Sequence, residues 1–322
     1  MRNSSVFSIY LAAITGAAMA GFAAPAYAEY PERAVTLIVT SSPGSGGDSV
    51  ARTYVPYLEK CLGQSVTVVN KPGAGGALGH AEIASAAPDG YTVGNLNMPN
   101  TVAQSIQGDT EWPLDRFDYV SNVTSSRVAV NVLKESPFET LADFVAYAKE
   151  NPRSITLGLS SLGGDDHLTQ LQLMKAAGIE LTIVPFGDGG TSRAGLLGGH
   201  VSAASMSGSE AAGYQDRVRT LAIAAEERAP YLPDVPTMRE LGYDVIGGSN
   251  QIIGGPKGMP AEAIAKLDQC FGEALSDPEF QAQATERALP MFYLNQADTV
   301  AFIEEQGELL KQLWESNPWI KK

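Results

Sequence analysis

The chain has 322 residues, 36 acidic against 22 basic side chains for a formal charge of −14, and 44% hydrophobic residues. That apolar content supports a packed core and excludes a disordered chain, and two cysteines are too few for a disulfide-stapled miniprotein. The acidic balance argues against nucleic acid as a partner, because a phosphate backbone demands a basic footprint; any bound anion must be held locally by aimed donors.

The first 28 residues read as an export signal. Arg2 precedes an apolar, alanine-rich stretch that ends in Ala26-Tyr27-Ala28, the small-x-small pattern of a signal peptidase site. A membrane anchor is the alternative, but the stretch is short and no later run reaches 18 apolar residues. Cleavage after Ala28 starts the mature chain at Glu29 and sends it to the periplasm, and the lack of a cysteine after the signal argues against a lipoprotein.

Short β-rich runs then alternate with helical stretches. Val35–Val39 is continuously apolar, as a strand covered on both faces should be. A glycine-rich loop at 41–47 follows, with a helix expected from Asp48. Next come a strand at Val66–Val69, a loop at 71–76, a helix to Ala86, the turn Pro88-Asp89-Gly90 and a strand at Tyr91–Leu96. This βαβαβ order implies a parallel sheet with right-handed crossovers. Two adjacent extended runs are expected at Tyr119–Val123 and Val128–Leu133. A second series follows: helix Thr140–Glu150, strand Ile155–Leu159, helix around His167–Ala177, strand Leu181–Pro185, helix Thr191–Leu197, strands Val201–Ser205 and Val218–Ala224. Two β-like pieces near 242–256 precede a mostly helical tail at Ala261–Ser276, Pro278–Arg287 and Ala297–Trp314. The fold class is therefore α/β, in two lobes joined by crossing strands, with a ligand expected between them.

The candidate ligand loops leave strands. In the first, Ser41, Gly44, Ser45, Gly46 and Gly47 let backbone N–H groups approach an anion, and Asp48 fits the helix N-cap. The Gly-Lys-Ser/Thr ending of a nucleotide loop is absent. Gly73–Gly79 only partly matches a dinucleotide fingerprint and follows the wrong strand. In a third loop Ser160, Ser161, Gly163 and Gly164 offer donors, followed by Asp165, Asp166 and His167; the two acids read as helix-start residues or, pointing inward, as partners for an amine. Gly187 and Asp188 sit in a fourth loop, where Phe186 is either an apolar wall of the cleft or the buried aromatic of a tight turn. His80, His167 and His200 are far apart and read as structural, so no metal and no cofactor are expected. No nucleophile elbow or local triad is visible, although triads can be dispersed. Cys61 and Cys270, in an exported chain, suggest a disulfide, the alternative being two buried free thiols.

Several stretches together resemble the Bug-type extracytoplasmic receptors, the TctC-like binding proteins of tripartite tricarboxylate transporters. They include Tyr30-Pro31 through Val39, Pro43–Asp48 with Ala51-Arg52, Val68–Gly76, Ala86–Thr92, Leu196–Gly199, Leu232–Thr237 and Gly254–Gly258. The resemblance implies a Venus-flytrap fold without enzyme activity. It implies a small carboxylate held by the loops at 41–48 and 158–167, and a monomer that delivers it to membrane transporter subunits. It also implies that the chain returns to its first lobe, giving 29–130 plus 250–322 for lobe one and 131–249 for lobe two. That topology places Cys61 and Cys270 in one lobe and strengthens the bridged alternative. Two rivals remain at this point: an exported α/β hydrolase using Ser160 or Ser45, and a ligand sensor for a two-component system.

Overall fold

The computed structural model describes residues 29–316 and 318, apart from 74, 75, 109, 111, 112, 188, 230 and 288. The export signal and Asp188 lie outside the described residues.

The first strand set begins with β1 (Val35–Val39), α1 (Gly46–Leu62), β2 (Val66–Asn70), α2 (Ala77–Ser85) and β3 (Thr92–Met98). β1 pairs in parallel with β2 and β3, so the carboxyl ends of all three lie on one edge. α3 (Asn100–Gln107) follows, a helix not expected from the sequence although Val102, Ala103 and Ile106 form its apolar face.

β4 (Phe117–Leu133) is one 17-residue strand, where the sequence suggested two runs. The polar residues Thr124–Arg127 mimic a break, but they stay extended because β9 (Gly248–Pro256) pairs with them antiparallel. β4 changes partners at its middle: up to Arg127 it pairs with β9, and from Val128 it pairs with β7 (Ala203–Ser207) and β8 (Val218–Ile223). Glycine is needed at this crossing. A Cβ at Gly248 (φ +146°) would run into the Ser126 carbonyl, and one at Gly247 would run into Thr169.

The second set contains α4 (Leu141–Glu150), β5 (Thr156–Leu159), α5 (Asp165–Ala177), β6 (Thr182–Pro185) and α6 (Gly189–Leu197). α7 (Gly208–Ala212) follows β7. β5 pairs in parallel with β6 and β7. The tail supplies α8 (Ala261–Ser276), α9 (Pro278–Glu286), β10 (Met291–Leu294) and α10 (Gln296–Ser316). The full strand order is β2-β1-β3-β9-β4-β7-β5-β6, with β8 and β10 also paired to β4. This is an α/β architecture of mixed strands with helices on both faces.

Apolar clusters hold each set, and one of them also takes in Leu168 of α5. In the first, Tyr54 and Leu58 of α1 meet Phe271 of α8 and Phe280 of α9. The opposite face buries Ile83, Val102 and Ile303 against Ile38, Leu96 and Ile252. In the second, Phe144 and Leu173 cover Val130, Val132 and Leu157. Each such side chain, fully buried, contributes about 1.5–3 kcal/mol. Cys61 of α1 and Cys270 of α8 are joined by a disulfide, their Cα atoms 5.4 Å apart.

Candidate functional site

The pairing pattern brings the carboxyl edges of the two strand sets together. β9 runs antiparallel to β3, with Asn250 opposite Met98, so β9 starts at the carboxyl edge of the first set. Ser125–Arg127 of β4 lie opposite Asn250–Gly248 at the same level. Val128 pairs with Ser207, at the carboxyl end of β7, and β5 and β6 end on that edge too. The carboxyl edges of both sets therefore meet where β4 and β9 cross, the place where open α/β sheets bind ligands.

The first loop is held from below by polar strand ends. Thr40 N–H donates to Asn95 Oδ1 (3.0 Å), Asn97 Nδ2 donates to Thr40 Oγ1 (3.3 Å), and Asn70 Nδ2 donates to the Ser41 carbonyl (3.0 Å). The N-cap of α1 is Ser45, not Asp48: the Ser45 hydroxyl accepts the Asp48 N–H at 3.4 Å and lies 2.7 Å from Ser41 Oγ. The helix starts two residues earlier than its apolar spacing suggested, because Gly46 and Gly47 carry no side chain to report it. Asp48 clamps the loop instead. Its carboxylate accepts from Arg52 Nε (2.9 Å), Gly44 N–H (2.8 Å) and Asn70 Nδ2 (2.9 Å). Arg52 first, then these N–H donors, hold its carboxyl down at about 2 against the cost of burial.

The second loop is tied in the same style. The Ser160 N–H donates to the Asp166 carboxylate, which also accepts the His167 N–H at 2.8 Å. Gly163 N–H donates to His167 Nδ1 at 3.0 Å, and Gly164 N–H to the Ser161 carbonyl at 3.3 Å. The N-cap of α5 is Gly164. Asp166 and His167 therefore fasten the loop, and burial lowers the imidazole to about 4, so His167 is neutral at pH 7. Asp165 N–H donates to Asn100 Oδ1 at 3.1 Å, joining α5 to the start of α3, from one set to the other. Burial raises the Asp165 carboxyl above the usual carboxylate range, with the neighbouring Asp166 charge adding to it.

These bonds sort the expected donors. The N–H groups of Gly44, Ser160, Gly163 and Gly164 serve the protein itself, and that of Gly187 (φ +94°) donates to the Ser160 carbonyl at 2.8 Å. Among the described residues, the N–H groups of Gly46, Gly47, Ser161 and Leu162 make no hydrogen bond within the chain. The first two lie in the opening turn of α1, where the helix dipole favours negative charge. Phe186 is partly buried, with its ring against Gly158 and Gly195. His80 is fully buried beside Thr101, and burial lowers it to about 4. Among the described residues no group of His, Cys, Asp and Glu is arranged to hold a metal.

Sequence reading did not single out the polar strand ends Asn95, Asn97 and Asn70, nor Gln251 at the crossing, whose amide faces Gly47. Their signal was present as polar residues interrupting runs that should otherwise be apolar.

The model of the tripartite tricarboxylate transporter family receptor (TctC) matches residues 50–317. Protein BugT of Bordetella pertussis is 32% identical over 283 residues, covering 85% of this chain and 86% of its own. A TctC solute-binding protein from Polaromonas superposes with a TM-score of 0.78 at 26% identity, over 89% of this chain and 100% of that one. MatC of Rhodopseudomonas palustris, solved with bound malate, superposes with a TM-score of 0.74 at 26% identity, over 88% and 99%.

Proposed function

Because the chain belongs to the TctC family, the receptors of tripartite tricarboxylate transporters, we propose that it is a periplasmic receptor for a small carboxylate. It takes the ligand between two lobes and hands it to a membrane transporter, without turning it over. The lobes are 29–130 with 250–322, and 131–249, hinged where β4 and β9 cross. The observation that carries this reading is the pair of loops with open amides, Gly46-Gly47 and Ser161-Leu162, at one crevice. Four N–H donors match the lone pairs of a single carboxylate, and hydrogen bonds to a charged acceptor are strong without a cationic side chain. The malate bound by MatC is a carboxylate of this class.

A thermal-shift screen of residues 29–322 against mono-, di- and tricarboxylates tests it. A ligand at a hundred times its Kd adds about 2.7 kcal/mol. Gly46→Leu is the clean control, because no atom lies within 4 Å of its Cβ position. Gly163, at φ +78°, would be strained by any side chain. The reading expects a carboxylate hit that Gly46→Leu weakens at least tenfold without lowering the ligand-free Tm. No hit, or a hit indifferent to Gly46→Leu, contradicts it. Delivery is tested in a strain lacking the chain: uptake of that carboxylate is lost, whereas retained uptake with failed transporter induction indicates a sensor.

A further inference from the structure

We infer that Arg127 is the counter-charge for a second anionic group of the ligand, so that the crevice selects a dicarboxylate over a monocarboxylate of equal length. The inference rests on the carboxylate-receptor reading and supplies the far end of the ligand.

Arg127 lies on β4 at the crossing, opposite Gly248 and one residue before Val128, which pairs with Ser207. It is thus at the level where both carboxyl edges meet. The chain carries a charge of −14, yet this partly buried guanidinium makes no hydrogen bond and no ion pair among the described residues. Its charged and titratable neighbours are Glu226 and Tyr231, which act on it through space; Glu226 is exposed to solvent. A guanidinium holds five N–H donors in a rigid fork, and burying them without acceptors is costly. Two residues earlier, with no bulge between, Ser125 shares the same strand face. Its hydroxyl is buried and also lacks a partner in the chain.

Two donors on one strand face, neither satisfied by the protein, define a place for an acceptor that arrives from outside. The amides of Gly46, Gly47, Ser161 and Leu162 suffice for one carboxylate and carry no net charge. Arg127 is suited to the other. Its fork matches a carboxylate with two parallel hydrogen bonds, and its charge offsets half of the two negative charges such a ligand brings.

The test is calorimetric titration of residues 29–322 with length-matched pairs: succinate against butyrate, and adipate against hexanoate. Wild-type protein prefers the dicarboxylate in at least one pair. Arg127→Met lowers that affinity about 100-fold and leaves the matched monocarboxylate within about twofold. Arg127→Lys falls between, since an ammonium cannot form the fork. Glu226→Gln, which removes the competing anion, raises dicarboxylate affinity about two- to fivefold. If carboxylates bind but Arg127→Met weakens both members of a pair equally, or neither, the inference fails and the receptor reading stands. Preference for the monocarboxylate also overturns it. If no carboxylate binds, both fail. Should Arg127→Met not fold, Glu226→Gln decides, and an unchanged preference ratio overturns the inference.

Discussion

Asp48 supports the first loop by its charge, since the capping position beside it belongs to Ser45. A carboxyl held at about 2 in the native state gives stability that is fully present above its unfolded value near 4 and is lost as pH falls toward 2. Asp48→Asn should therefore cost about 1–2 kcal/mol at pH 7 by thermal melting, allowing for the half-exposed Arg52, and the gap to wild type should close below about pH 3. Asp165 carries the opposite sign. Its native carboxyl is raised, so its ionisation penalises folding as pH rises above the unfolded value near 4. Asp165→Asn should be stabilising by on the order of 1 kcal/mol at pH 8 and neutral at pH 4; equal effects at both would refute the assignment. The serines and glycines of both loops were legible because small residues between strand and helix have few other reasons to cluster. Which of their amides stay open was not legible, since that depends on Asp48, Asp166 and His167 folding back onto the loops.

At the scale of elements, the apolar strands and amphipathic helices stood out because their periodicities are set by burial on known faces. β4 did not, since its polar centre, Thr124–Arg127, breaks the apolar pattern that marks a strand. β10 and α7 were missed because neither carries a buried apolar run: the middle residues of β10 are exposed, and α7 is a single short turn of Gly, Ser, Glu and Ala. The α1–α8 bridge closes a sequence separation of 209 residues, so its removal releases much chain entropy in the unfolded state. Replacing Cys61 and Cys270 by serine should cost about 2–5 kcal/mol in denaturant unfolding, with the carboxylate affinity retained, because the bridge lies in the α1–α8 core and not at the crevice. A double variant as stable as wild type would contradict this.

The whole molecule pairs an acidic composition with the anion site proposed above. On the proposed reading the general field repels the ligand, and only short-range amides and Arg127 draw it in. Association should therefore speed up as salt screens the field, by about two- to fivefold between 10 and 150 mM ionic strength in stopped-flow binding; a rate that falls with salt would place the site in a basic environment. One basic alternative is a surface hollow of about 390 Å³ between α1 and α9, lined by Arg52, Lys60 and Arg287 together with Glu279. The crevice and that hollow are separated most directly by a crystal structure of residues 29–322 with the best carboxylate from the screen. The account predicts carboxylate oxygens within about 3 Å of the Gly46, Gly47, Ser161 and Leu162 nitrogens, and a second carboxylate at Arg127. A ligand seated in the hollow, or between the lobes but away from these amides, would contradict it.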